Sequence, residues 1–202
     1  MFGLFKSKKE KLAEAIYGNF RPGFQVVKKY GKWDNKKSFG EIFITNDYLI
    51  GYLNNYINLC GKANGVEGIN LGKLAARTYE LMDPIFKEFS KLEESMDRYH
   101  NLSSKPNKEF KLATDESYIF LRSVMSSEIS NEILSSKIYK EAAKYYNSGK
   151  FDADHQFAKK KMPDDLYDKK FMDNAPAHIL IGYRMFEQTF VKRLNKFYKV
   201  KF

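Results

Sequence analysis

Cysteine is nearly absent from this 202-residue chain, and arginine is scarce. The single cysteine, Cys60, rules out an intramolecular disulfide and a cysteine-based metal site. Between Leu59 and Gly61 it reads as a small core residue rather than an activated nucleophile. No run of about 18 apolar residues exists, so no membrane-spanning helix is expected. The first residues lack the charged region, apolar run and small-residue cleavage site of a secretory signal. Cytoplasmic residence is therefore the expectation. Also missing are a GxSxG elbow, a phosphate-binding loop, a dinucleotide fingerprint and an HExxH pair. No cofactor is implied, and no motif names an activity.

The formal charge is +10, made of 29 lysines and only 6 arginines against 25 acidic residues. Arginine is the side chain whose planar fork suits phosphates and base edges, whereas lysine acts as a mobile point charge. A chain rich in Lys, Asn, Ile, Phe and Tyr looks like the product of AT-rich coding, so the charge is read first as solubility and composition. The distribution is more telling than the sum. Residues 1–45 carry +6 and residues 151–202 carry +4, while residues 46–104 carry −2. If the two basic ends meet in space, they form one positive face.

Apolar residues make up 43% of the chain, with 17 Phe and 14 Tyr, enough to build a core of large rings. Leu71, Leu74, Thr78, Leu81, Ile85, Phe89, Leu92, Met96 and Tyr99 follow one another at steps of three and four, the spacing of a helix face. Ile179, Tyr183, Phe186, Phe190, Leu194 and Phe197 repeat the pattern. The expected fold is all-α: a single irregular bundle of about seven or eight helices spanning residues 1–202, frayed over residues 1–7. A first helix is predicted over residues 8–17, and Gly23, Gly31 and Gly40 suggest a short extended or hairpin segment near residues 20–45. Thr45-Asn46-Asp47 predicts the next helix start, and Asn101–Lys108 a break before a helix from Thr114. The apolar stripe keeps its phase through Asp83-Pro84, which favours a kinked but nearly collinear helix there.

Gly149-Lys150-Phe151, following Tyr145 and Tyr146, resembles the turn between the two helices of a tetratricopeptide repeat. Asp154 stands where that family wants a small residue, and no companion follows at a 34-residue period. The resemblance implies a helical hairpin and nothing about function. Leu-Ile-Gly-Tyr occurs at residues 49–52 and again at 180–183. Gly51 and Gly182 in mid-helix are best explained by close approach of a neighbouring helix.

Three groups of residues are candidates for chemistry or binding. Lys28, Lys29, Lys32, Lys36 and Lys37 surround Trp33, and Lys159-Lys160-Lys161 lies elsewhere. Such a face suits an acidic protein, with Trp33 as anchor, or a single strand of nucleic acid; otherwise Trp33 plugs its own segment onto the bundle. His178, with Tyr183 and Arg184, is the second group, a possible acid–base or ligand-orienting pocket at the start of an apolar helix. Its bland counterpart is a half-buried histidine bonded to a backbone carbonyl. Third, Asp152, Asp154 and His155, with Asp164 and Asp165, resemble a loose ligand set, although acidic residues also favour helix starts and no metal is assigned. The tip Met1–Lys6 with Lys8, Lys9 and Lys11 is too short for stable contact with a membrane surface. The preferred function is a non-catalytic helical protein-binding protein, more an adaptor than an enzyme. Nucleic-acid binding through the basic ends is the alternative, and a small-molecule pocket or enzyme around His178 the third.

Overall fold

The structure, a computed structural model, describes residues 7–34, 36–126, 129–161 and 169–200. All regular structure among them is helical: α1 (Lys8–Tyr30), α2 (Phe39–Phe43), α3 (Asp47–Ala63), α4 (Ile69–Met82), a 3-10 turn (Pro84–Lys87), α5 (Phe89–Ser104) and α6 (Lys108–Met125). There follow α7 (Asn131–Ser135), α8 (Lys137–Asn147), α9 (Lys150–Lys161), α10 (Lys169–Asn174), α11 (Ala177–Phe186) and α12 (Lys192–Phe197). A π turn, Glu187–Val191, makes α11 and α12 one continuous helix, so the described residues hold eleven helices. The all-α expectation holds. No described helix is long and apolar enough to cross a membrane.

Two compact units are distinguished. One comprises the residues up to Asp115 together with those from Arg193 onward; the other runs Glu116–Lys192.

In the first unit α3 is the central element. Tyr48, Leu49, Ile50, Tyr52, Leu53, Tyr56 and Ile57 are all buried, and a helix apolar over most of its surface belongs inside. Asn46 caps it, its side-chain oxygen accepting from the Leu49 N–H at 3.0 Å. Buried Asn54 donates to the Tyr79 hydroxyl at 2.6 Å and to the Ile50 carbonyl at 2.9 Å. Gly51 admits α6: a Cβ there would lie 2.9 Å from the Phe110 ring and 3.3 Å from Ala113.

Several expectations need correction. Residues 1–6 lie outside the described region, but Ser7 is ordered as the N-cap of α1, in a capping box with Glu10. That helix does not stop at residue 17. Ala13, Ile16, Phe20, Phe24 and Val27 keep a buried face in phase past Gly18 and through Pro22, and this burial overrides the breaker. The carbonyl that Pro22 leaves unpaired belongs to exposed Gly18, where water is available. The extended or hairpin segment near residues 20–45 is therefore absent, replaced by the end of α1, a loop and α2. Ser38 and Glu41 form a second capping box and nucleate α2 where Ile42, Phe43 and Ile44 suggested a strand.

At Asp83 the chain breaks rather than kinks. Asp83 is extended (φ −152°, ψ 127°), caps the 3-10 turn, and Glu88 is extended again before α5. The buried face of α4 is Leu74, Ala75, Thr78, Tyr79 and Met82, continued by Phe86, so Phe89 is left 75% exposed. α6 begins six residues earlier than expected because Asn107 accepts from the Phe110 N–H at 2.9 Å. The helix count exceeds seven or eight because α2 is helical, α7 separates from α8, and α4 and α5 are distinct.

The second unit packs Ile133, Tyr139, Ala142, Ile181 and Met185 from α7, α8 and α11 into one core, with Phe120 stacked on Phe186. Gly182 meets α6 here, where a Cβ would fall 2.4 Å from Val124 and 2.8 Å from the Ser123 hydroxyl. Both Leu-Ile-Gly-Tyr glycines thus mark close helix crossings. α8 and α9 form a hairpin whose turn places Gly149 at φ +74°, a conformation glycine adopts without strain.

The glycines of the first unit divide sharply by surroundings. A Cβ on Gly40 would stand 2.5 Å from the buried Phe86 ring, while one on Gly18 meets nothing within 4 Å. Gly40→Ala should cost about 1–3 kcal/mol by overpacking. Gly18→Ala should stabilise by up to about 1 kcal/mol through helix propensity. Urea denaturation of the two variants against the parent checks both signs.

Candidate binding face

The segment between α1 and α2 carries the lysines and Trp33, and local bonds shape it. Gly31 N–H closes α1 on the Val27 carbonyl at 2.7 Å, Lys37 N–H donates to the Asp34 carbonyl at 3.0 Å, and Lys36 N–H donates to the Asp34 carboxylate at 3.0 Å. Trp33 Nε1 donates to the Lys37 carbonyl at 3.2 Å. One backbone bond leaves the segment for a distant part of the chain: Lys32 N–H to the Tyr198 carbonyl, 2.7 Å.

Tyr198 is buried. Its ring stacks on Phe39 (centroids 5.1 Å) and meets Trp33 edge to face (5.5 Å), and its hydroxyl donates to the Phe39 carbonyl at 2.8 Å. Burial holds that hydroxyl far above the usual tyrosine range. Trp33 also meets Phe39 at 6.4 Å and is only partly exposed. The indole is thus part of an aromatic cluster, the plugging role set out above, with one edge at the surface.

The two basic ends meet through this cluster. Lys29, Lys32, Lys36 and Lys37 from one end and Lys196 and Lys199 from the other are all exposed. None of the six forms an ion pair with a described carboxylate. Lys28 differs: its ammonium donates to the Met82 carbonyl at 2.6 Å and lies 5.0 Å from the Phe39 ring. Burial lowers its pKa, opposed by the charge of Asp83. Lys28 is a structural residue at the edge of the face, and Lys29 rests over its exposed neighbour Tyr30 at 5.1 Å.

In the second unit, His178, Tyr183 and Arg184 lie on α11, but at about 100° per residue they point in three directions. Half-buried His178 opens the helix; Tyr183 contacts Phe120 and Phe171 at 6.2 and 5.6 Å. The Arg184 guanidinium stacks on Tyr145 at 3.7 Å and pairs with Glu187 at 2.9 Å. The three are not brought together.

The suggested metal ligands are likewise separated by their partners. Asp154 accepts from the Tyr145 hydroxyl, which fills the position where the repeat-like turn departs from its family. His155 bonds Asp173 at 2.9 Å, and Lys159 bonds the same carboxylate at 2.6 Å. Hydrogen bonds from Lys159 and then His155 hold Asp173 below the usual carboxylate range. Asp164 and Asp165 lie outside the described residues, among which no group of three or more His, Cys, Asp and Glu side chains is placed to hold a metal ion. A shallow, open depression of about 520 Å3 in the first unit is lined by Asp47, Glu94, Asp97, Arg98, Asn101 and Leu102. Its Asp47 carboxylate is already engaged by Arg98 at 2.5 Å and Asn107 at 2.7 Å.

No protein-family model, curated protein or solved structure matches this chain.

Cys60 is buried, and burial pushes its thiol up to about 11 from 9.0. The unfolded chain loses this proton first, so the folded state is disfavoured progressively as pH rises from about 9 to about 11. A shift of about two units also leaves roughly 100-fold less thiolate than a free cysteine carries at pH 8. Native protein should therefore react with iodoacetamide at least about 100-fold more slowly than urea-unfolded protein.

Proposed function

We propose that this is a non-catalytic, cytoplasmic binding protein that recognises an acidic surface on another protein, through the lysine-rich face around Trp33. The observation that carries this reading is the union of the two basic ends: Tyr198 packs among Trp33 and Phe39, and six exposed lysines on the two segments so joined have no described carboxylate partner. Unpaired charge of one sign on a folded surface attracts an opposite surface and speeds encounter.

Nucleic-acid binding is the second reading, since the same ammonium groups suit phosphates. Two features favour protein over nucleic acid. The face is built of lysine rather than arginine, and Trp33 is engaged by Phe39, Tyr198 and the Lys37 carbonyl, which leaves little ring free for a base to stack on. The third reading, a pocket at His178, draws little support from side chains that diverge around α11.

Titration with poly-L-glutamate and with a single-stranded oligonucleotide, at about 50 and 200 mM salt, tests the choice. Poly-L-glutamate should bind more tightly. Reversing charge in Lys29→Glu/Lys36→Glu/Lys37→Glu should weaken it about ten-fold, close to 1.4 kcal/mol, while Lys105→Glu/Lys108→Glu/Lys111→Glu changes it less than about two-fold. Equal effects of the two triple variants would reduce the binding to net charge and defeat the proposal. Tighter, steeply salt-sensitive oligonucleotide binding would install the second reading.

A further inference from the structure

We infer that Tyr198 is the positioning residue of this face: the lysine-bearing loop between α1 and α2 is binding-competent only while the last turn of the chain described here is docked on it. The inference rests on the functional reading above and adds the residue that assembles the site.

Among its described residues the loop has little else to hold it. Its bonds at Gly31, Asp34, Lys36 and Lys37 are all short-range, so they shape the loop locally without fixing it to the helical body. Trp33 closes on the Lys37 carbonyl, again within the loop. What fastens the loop to the rest of the unit is the Lys32 N–H on the Tyr198 carbonyl and the packing of the Trp33 ring against Tyr198 and Phe39. Tyr198 is in turn held from the other side, stacked on Phe39 and bonded to its carbonyl. One buried residue therefore sits between the α2 aromatic, the tryptophan and the loop backbone, its side chain meeting the first two and its carbonyl the third. Its sequence neighbours Lys196 and Lys199, both exposed, come close to the loop with it.

Electrostatic attraction to an acidic partner depends on several lysines being held within a Debye length of one another, about 8–10 Å at ordinary salt. A released loop would scatter them, and ordering it again on binding would oppose affinity. Tyr198 touches no partner in this account. It acts through the loop.

Trp33 is the only tryptophan in the chain, so its fluorescence reports the docked state directly. In Tyr198→Ala the emission should shift to the red and acrylamide quenching should rise about two-fold or more as the indole gains access to water. Poly-L-glutamate affinity should fall about ten-fold with helicity by circular dichroism retained. Tyr198→Phe, which keeps the ring and loses only the hydroxyl bond, should restore most of both readouts. A second pair guards against simple unfolding of the alanine variant. Lys32→Pro removes the N–H donor to Tyr198, and the preceding Gly31 (φ −73°, ψ 160°) already has the extended backbone that proline requires of its neighbour. Lys32→Gln removes the same charge and keeps the donor. Lys32→Pro should expose Trp33 and weaken binding beyond Lys32→Gln. Unchanged Trp33 quenching in both Tyr198→Ala and Lys32→Pro overturns the inference, as does full binding by a variant whose Trp33 is released. If the parent protein binds poly-L-glutamate no better than the Lys29/Lys36/Lys37 triple variant, the functional reading itself falls and this inference with it, whatever Trp33 reports.

Discussion

A buried carboxylate organises the part of the molecule on which the candidate face rests. Asp83 accepts from the Gly40 N–H at 2.7 Å and from the Ile85 N–H at 3.1 Å, so the residue that ends α4 also starts the 3-10 turn and ties down α2 with its side chain. Buried acceptors of this kind are costly to leave unmet and hold geometry well when satisfied. The approach is close enough that Gly40 admits no side chain over Phe86. α2 then presents Phe39, which takes the Tyr198 hydroxyl on its carbonyl and the Tyr198 ring on its own. The sequence of dependence runs from Asp83 to α2, to Tyr198, to Trp33 and the lysines.

Much of the helical framework was legible from residue spacing and caps. Asn46 starts α3 as its side chain predicts, and the mid-helix glycines at 51 and 182 do mark helix crossings. The failures came where a strong local signal met a stronger tertiary one. Gly18 and Asn19 argued for an early end to α1, yet the face from Ala13 to Val27 stays in phase across them and through Pro22, and burying it outweighs one missing hydrogen bond. The opposite error occurred at Asp83-Pro84. There the periodicity continued through a true break, because a 3-10 turn flanked by extended residues happens to preserve a rough spacing of three and four. Ser38-x-x-Glu41 was a readable capping box masked by strand-forming neighbours.

The candidate face was half visible. Its lysines and Trp33 stand together in the sequence, and the charge distribution raised the prospect of the two ends meeting. Tyr198 was invisible as a participant, since nothing local marks a tyrosine that will pack against a residue 159 positions away. The His178 and Asp152–His155 groups show the reverse problem. Adjacent positions on one helix look like a cluster in sequence but fan out in space, so Asp154 serves Tyr145 while His155 serves Asp173.

The helix at the centre of the first unit has a consequence for motion. Most of α3 is buried, and the Asn54 amide is locked to the Tyr79 hydroxyl deep in the core. A smooth apolar cylinder could rotate or slide by a residue with little change in contact, but a polar pair at one azimuth forbids both. Amides in the middle of α3 consequently have no local route to solvent. They exchange their hydrogens only when the unit as a whole opens, which makes α3 the slowest clock in that unit and the measure of its stability.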